Sequence, residues 1–109
     1  MQSTVIFNLV VLEAKAGQQE QLREALLALV APTRKEAGCL DYTLFELTET
    51  PGTFYMRESF RDQAALEEHF SKPYFQEFAK RFEELLARPL QLIGLREVGS
   101  YIGPLMLHV

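Results

Sequence analysis

Four stretches of the chain are rich in β-branched and aromatic residues, and apolar residues between them recur every three to four positions. The first pattern predicts strands, whose side chains point alternately to two faces. The second predicts amphipathic helices with one apolar face. In chain order the predicted elements are strand 3–13, helix 18–37, strand 39–48, strand 53–61, helix 62–70, helix 71–87 and strand 90–98.

Residues that favour helix ends and turns set the predicted boundaries. Gly17 is expected to cap the start of the first helix, and Gly38 to end it in the left-handed conformation. Pro32 lies inside this helix and is expected to kink or interrupt its last turns. Asp62 is a good N-cap for the second helix, and Pro89 closes the third.

The β-α-β-β-α-β order predicts an α+β fold of the ferredoxin-like type, with one four-stranded sheet and helices on one of its faces. Residues 1–109 are interpreted as one domain, with a core at about 4–98 and a C-terminal extension at 99–109. The first two strands are apolar on both faces, so the face without helices needs a cover. We expect a second sheet in a homodimer to supply it. Exchange of the apolar tail between subunits is a further hypothesis.

Composition narrows the classes of partner. The 109 residues carry 11 Lys and Arg against 15 Asp and Glu, a net charge of −4, which disfavours binding to nucleic acid or to an anionic membrane. The longest apolar run, 5–12, is too short to span a bilayer and contains Asn8. No basic segment marks a signal peptide, and Cys39 is the only cysteine, so a cytoplasmic location is expected. Two histidines and one cysteine, far apart, predict no metal site.

Several short motifs, in order, resemble the antibiotic biosynthesis monooxygenase family. Residues 33–42 (TRKEAGCLDY) are similar to its T-R-x-E-x-G-C-x-x-Y signature, and residues 54–60 (FYMRESF) to its F-x-x-x-E-x-[WF] motif. Residues 65–69 (ALEEH), the following Pro73 and the early Ala16-Gly17 pair also fit. The resemblance covers roughly residues 4–98, which is nearly the whole chain.

The resemblance implies a dimeric α+β barrel with one ligand cavity in each subunit. Members of the family include cofactor-independent monooxygenases of quinols and polyketide phenols, haem-degrading enzymes and a sugar-phosphate isomerase. The haem-degrading branch uses an Asn, a Trp and a His. Phe60 stands at the Trp position and Ala79 near the His position, so haem degradation is rejected. The chain is most similar to the quinol monooxygenase group.

Two residues are candidates for acid–base catalysis. Glu58 shares a strand face with Phe54, Met56 and Phe60, and a carboxylate on such a face must be paired or have a raised pKa. It is either a general base or a structural acceptor. His69, at the margin of the apolar helix face, could take a phenolic proton near neutral pH. The alternative for His69 is a core histidine bonded to Glu58 or to a backbone carbonyl.

Five further residues are candidates for substrate binding. Asn8 interrupts an apolar strand, so its amide must have a partner, which is either a ligand oxygen or a neighbouring side chain. The other candidates are aromatic and could line a pocket for a flat ring, or could simply form core: Tyr42, Phe60, Phe78 and Phe82.

These residues support one leading hypothesis and two alternatives. The leading hypothesis is a homodimeric monooxygenase that acts on a quinol or polyphenol-like aromatic with O₂ as co-substrate and with no metal, flavin or other cofactor. His69 or Glu58 would remove the phenolic proton. One alternative is a non-oxidative isomerase or tautomerase of a small carbonyl compound. The other is a non-enzymatic dimeric binder of small apolar molecules.

Overall fold

The computed structural model describes residues 4–100, and in it a four-stranded antiparallel sheet with the strand order β2-β3-β1-β4 carries helices on one face. This confirms the predicted ferredoxin-like α+β fold. The elements are β1 (Ile6–Glu13), α1 (Gln19–Arg34), β2 (Cys39–Glu46), β3 (Thr53–Phe60), α2 (Gln63–Ser71), α3 (Pro73–Ala79), α4 (Phe82–Leu85) and β4 (Gln91–Leu95).

The core lies between the helices and one face of the sheet. Helix α1 consists mainly of Ala, Leu, Gln and Glu, which are strong helix formers, and it buries Leu22, Leu26 and Leu29 against the sheet. On β1 the buried side chains are every second residue, Asn8, Val10 and Leu12. Since paired residues of adjacent strands share a face, β3 buries its matching set: Phe54, Met56, Glu58 and Phe60.

The opposite face of the sheet has no cover from the described residues. Phe45, Ile93 and Leu95 are 40–49% exposed on it, which is unusual for large apolar side chains along a sheet. Ile93 is paired with Leu9, and Leu95 with Phe7. The expected homodimer would cover this face, and it stays a prediction.

The prediction of one continuous helix over 71–87 is wrong. The chain instead forms α3 and α4, separated by Lys80 and Arg81, where the Arg81 N–H bonds to the carbonyl of Phe78 in a tightened turn. Tertiary contacts explain the break. The Leu85 carbonyl accepts from the Lys15 N–H, and the Ala87 N–H donates to the Glu13 carbonyl, so the end of the segment is tied to the end of β1.

The expected roles of the first two glycines are also corrected. Gln18, and not Gly17, is the N-cap of α1, while Gly17 occupies the left-handed region at φ 85° in the preceding turn. Helix α1 ends at Arg34, and Gly38 does not have a positive φ. A Cβ at Gly38 would lie 2.4 Å from the Cβ of Ala65, so glycine is needed for the close approach of α2.

A β-bulge and shorter strand ends account for the remaining differences. The register between β2 and β3 shifts between Cys39 and Asp41, so Leu40 has no partner in the β3 register and is 57% exposed. Strand β4 covers Gln91–Leu95, shorter than the predicted 90–98. Most of the predicted extension, residues 101–109, lies outside the described residues.

Candidate active site

A cavity of about 280 Å³ lies between the inner face of the sheet and the helices. Its wall is almost entirely apolar, and Glu58 is the one charged residue among the described residues that line it. An apolar cavity with a few convergent polar groups is the usual form of a small-molecule site. The lining residues are Val10, Leu12, Leu26, Leu29, Tyr42, Met56, Glu58, Phe70, Phe75, Phe78, Phe82, Leu90 and Leu92.

Glu58 is the buried acid of the cavity, only 3% exposed. Its position on β3 faces Asn8 on β1, and the Asn8 Nδ2 donates a hydrogen bond of 3.0 Å to Glu58 Oε2. Burial raises the pKa of Glu58 above its usual value, and the hydrogen bond from Asn8 partly counteracts this rise by favouring the ionised form. A carboxyl group with a raised pKa in an apolar cavity is suited to take up and return a proton.

Tyr42 lies beside Glu58 in the sheet and lines the same cavity. The two residues are paired across β2 and β3. Burial, and then the negative charge of Glu58, hold the pKa of the Tyr42 hydroxyl well above its usual value. The hydroxyl therefore keeps its proton at neutral pH, and it lies beside the buried side chain of Thr33.

His69 is fully buried behind the cavity wall and does not line the cavity. Its Nδ1 lies 3.0 Å from Glu36 Oε2, which also accepts a hydrogen bond from the Tyr74 hydroxyl. The expected partners, Glu58 or a backbone carbonyl, are therefore wrong: the partner is Glu36. Within residues 4–100, His69 Nε2 has no hydrogen-bond partner.

The predicted site residues divide into two groups. Glu58, Tyr42, Phe78 and Phe82 line the cavity. Three others lie behind its wall: Asn8 bonds Glu58, Phe60 packs against His69 with ring centroids 5.0 Å apart, and His69 bonds Glu36. The Asn8 amide thus has a neighbouring side chain as its partner, and its role in substrate binding stays a prediction.

Sequence reasoning missed four residues around the site: Glu36, Phe70, Tyr74 and Phe75. Glu36 belongs to the T-R-x-E-x-G-C signature and lies beyond the end of α1. Its contact with His69 joins residues 33 positions apart, and no local sequence pattern predicts such a contact. Phe75 follows the helical spacing of Phe78 and Phe82, and that spacing was a usable signal for a third wall residue.

Three further features of residues 4–100 concern metal ligands, the Cys39 thiol and membrane-spanning helices. Residues 4–100 contain no group of three or more His, Cys, Asp or Glu side chains placed to hold a metal ion. Burial raises the pKa of the Cys39 thiol, which keeps it protonated and poorly nucleophilic. In the same residues, no helix combines the length and the hydropathy needed to cross a membrane.

Comparisons with known proteins agree on one family. The model of the family described as "Antibiotic biosynthesis monooxygenase" matches residues 5–81. YcnE of Bacillus subtilis, which carries the provisional name of a monooxygenase, is 35% identical over 82 residues, covering 75% of this chain and 86% of YcnE. The sll1783 protein of Synechocystis is 32% identical over 81 residues, which is 74% of this chain. The match covers 55% of sll1783, so this chain spans about half the length of that relative.

A solved structure agrees with the fold over nearly the whole chain. The crystal structure of PA3566 from Pseudomonas aeruginosa has a TM-score of 0.85 and 37% sequence identity, and the match covers 91% of this chain and 99% of PA3566.

Proposed function

The chain belongs to the antibiotic biosynthesis monooxygenase family, and on this premise we propose that it is a cofactor-independent monooxygenase of a quinol or polyphenol-like aromatic. The family and the names of its relatives support a general monooxygenase-type function. The aromatic substrate, O₂ as the co-substrate and the absence of a cofactor are the parts that we propose.

The observation that carries the proposal is Glu58, a buried carboxyl group with a raised pKa at the wall of an otherwise apolar, aromatic cavity. An electron-rich phenol becomes a much better reductant when its proton is removed, so a base beside a flat apolar cavity is the main requirement for direct reaction with O₂. The cavity walls would also exclude water from the reactive intermediates.

One carboxyl group can serve every proton transfer of this reaction. Glu58 takes the proton of a phenolic hydroxyl, and the phenolate passes one electron to O₂, which gives an aryloxyl radical and superoxide. The two combine at a ring carbon that carries hydrogen, and the peroxide takes the proton back from Glu58. Glu58 then removes the ring proton while the O–O bond breaks. One oxygen atom stays as a new carbonyl, and the departing hydroxide takes the proton to form water.

Tyr42 and the charge of the cavity bear on the choice of substrate. Tyr42, paired with Glu58 across the sheet, supplies an aromatic ring to the cavity wall, and its hydroxyl keeps its proton. No lysine or arginine is among the described residues that line the cavity. A phosphorylated or carboxylated ligand would therefore meet the Glu58 charge without a counter-ion, which favours a neutral hydroxyaromatic over a sugar phosphate.

The test is O₂ uptake by purified, chelator-treated protein with a hydroquinone such as menadiol, after subtraction of autoxidation. We expect protein-dependent uptake with incorporation of ¹⁸O from ¹⁸O₂ into the product. Glu58→Gln should lower kcat/KM by about 10²–10⁴-fold, and the exposed Glu24→Gln serves as the matched control. Uptake that needs added metal or flavin, or no uptake across a panel of quinols, would refute the proposal. Unchanged turnover in a His69→Ala, Glu58→Ala double variant would refute the residue assignment.

A further inference from the structure

A buried chain of hydrogen bonds joins three segments behind the cavity. Glu36 lies in the connection after α1, His69 on α2 and Tyr74 on α3. Glu36 Oε2 accepts from both His69 Nδ1, at 3.0 Å, and the Tyr74 hydroxyl. The Glu36 side chain is only 8% exposed and that of His69 is fully buried, so the bond between them is largely shielded from water.

The bond to Glu36 is the single hydrogen bond of the imidazole within residues 4–100, because Nε2 has no partner there. A carboxylate accepts hydrogen bonds, so Nδ1 of His69 is the protonated nitrogen in this contact. If the Glu36 carboxylate were lost, no hydrogen bond within residues 4–100 would fix the orientation of the ring.

The imidazole in turn supports the wall of the cavity. Its centroid lies 5.4 Å from that of Tyr42, 5.6 Å from that of Phe70 and 5.2 Å from that of Phe75, and all three of these rings line the cavity. The orientation of His69 therefore sets where three lining rings can lie. A close-packed interior transmits a rotation of one ring to its neighbours.

We propose that Glu36 is a positioning residue for substrate binding, which holds His69 as the Nδ1–H tautomer and thereby fixes the aromatic wall formed by Tyr42, Phe70 and Phe75. Tyr74 assists by holding the shared Glu36 oxygen. This inference rests on the proposed function, since it takes the cavity as the site of a flat aromatic ring. It assigns the proton transfers to Glu58 and a purely positioning role to His69.

The experiment measures two quantities: the tautomer of His69 and the affinity of the protein for a flat phenol. ¹⁵N NMR of the imidazole reports which nitrogen carries the proton, and calorimetry under nitrogen reports the Kd of 2-naphthol, which binds without turnover. Glu36→Gln keeps an acceptor oxygen and should bind within about twofold of the wild type. Glu36→Leu removes the acceptor and should bind roughly tenfold more weakly, the effect of losing about one net hydrogen bond.

Two further variants separate positioning from general stability. Tyr74→Phe removes one of the two donors to Glu36 and should weaken binding less than Glu36→Leu. If Glu36→Leu fails to fold, the Kd of 2-naphthol in Tyr74→Phe tests the proposal in its place. Arg23→Gln breaks the three hydrogen bonds from Arg23 to Glu46, which involve no cavity-lining residue, and should lower stability without changing Kd.

The outcomes distinguish this inference from the proposed function. An Nε2–H tautomer in the wild type would overturn the role of Glu36. So would a Kd of 2-naphthol in both Glu36→Leu and Tyr74→Phe that equals that of the wild type. Failure of 2-naphthol to bind the wild type would overturn both claims. Binding that depends on Glu36, without O₂ uptake from any quinol, would leave the positioning role intact and remove the monooxygenase.

Discussion

Asn8 and Glu58 face each other across β1 and β3, and the amide of Asn8 donates a hydrogen bond of 3.0 Å to the Glu58 carboxylate. Two opposing effects meet in this pair. Burial raises the pKa of Glu58, and the donor from Asn8 lowers it. The balance leaves a carboxyl group that is both buried and ionisable, which is the state that a general base requires.

Asn8→Leu is expected to shift this balance toward the protonated acid. Loss of the donor should move the acid limb of the kcat/KM profile to higher pH, because the pKa of Glu58 then rises further. The folded state should lose about 1–3 kcal/mol at neutral pH, since the buried carboxylate is left without its donor. A pH–rate profile and urea unfolding measure the two effects. In a Glu58→Gln background the loss of stability should be smaller, and an equal loss in both backgrounds would contradict the pairing.

Glu58→Gln is expected to stabilise the protein while it removes activity. The pKa of Glu58 is raised above its ordinary value of 4.5 in the folded chain, so the folded state binds the proton more tightly than the unfolded state does. The stability due to this group is present below the unfolded pKa and is lost as the pH rises through the folded pKa. As the pH rises from the unfolded to the folded pKa of Glu58, the wild type loses this stability and Glu58→Gln does not. The difference in the free energy of unfolding between the two proteins should therefore grow over this pH range and then stay constant. A difference independent of pH, measured by urea unfolding, would contradict the raised pKa.

Gly38→Ala is expected to destabilise the fold by overpacking. The new Cβ would lie 2.4 Å from the Cβ of Ala65, a contact that only a displacement of α2 can relieve. Overpacking of this kind costs about 1–3 kcal/mol. Ala65→Gly removes the opposing methyl group, so the cost of Gly38→Ala should be smaller in that background. Gly94→Ala is the matched control, since nothing lies within 4 Å of its added Cβ.

Ile93→Glu is expected to convert a homodimer into a monomer. Ile93 is 40% exposed on the uncovered face of the sheet, where it is paired with Leu9. A charge buried there without a partner would oppose association of two such faces. Leu27→Glu, at a residue 54% exposed on α1, makes the same change away from the sheet. Light scattering should show a dimer for the wild type and Leu27→Glu; a monomeric wild type would refute the prediction.

The sheet was predictable because its signal is local. Each strand carries its own alternating pattern, and the turn at 50–52 follows from Pro51 and Gly52. The position of Glu58 on the inner face followed from the same alternation, since Phe54, Met56 and Phe60 share its parity. The break at Lys80–Arg81 has no local signal. It depends on hydrogen bonds to the distant end of β1, which no window of the sequence contains.

The partners of the polar residues were less predictable than their burial. The sequence indicates that Asn8 and His69 need partners, but many acceptors satisfy that need. The choice of Glu58 for Asn8 depends on strand register, and the choice of Glu36 for His69 depends on how α2 and α3 pack beyond the end of α1. Likewise, the register shift between Cys39 and Asp41 that exposes Leu40 has no glycine or proline within it as a local signal.

The cavity is assembled from two parts of different origin. The sheet supplies Glu58 and Tyr42, each fixed by strand pairing, whereas the short segments α2 to α4 and their junctions supply Phe70, Phe75, Phe78 and Phe82. Exchanging one of these phenylalanines for a smaller or larger residue reshapes the space for the ligand and leaves the strand ladder unchanged. The size and shape of the cavity can therefore change through substitutions in these three helices, while the strand pairing that positions Glu58 stays the same.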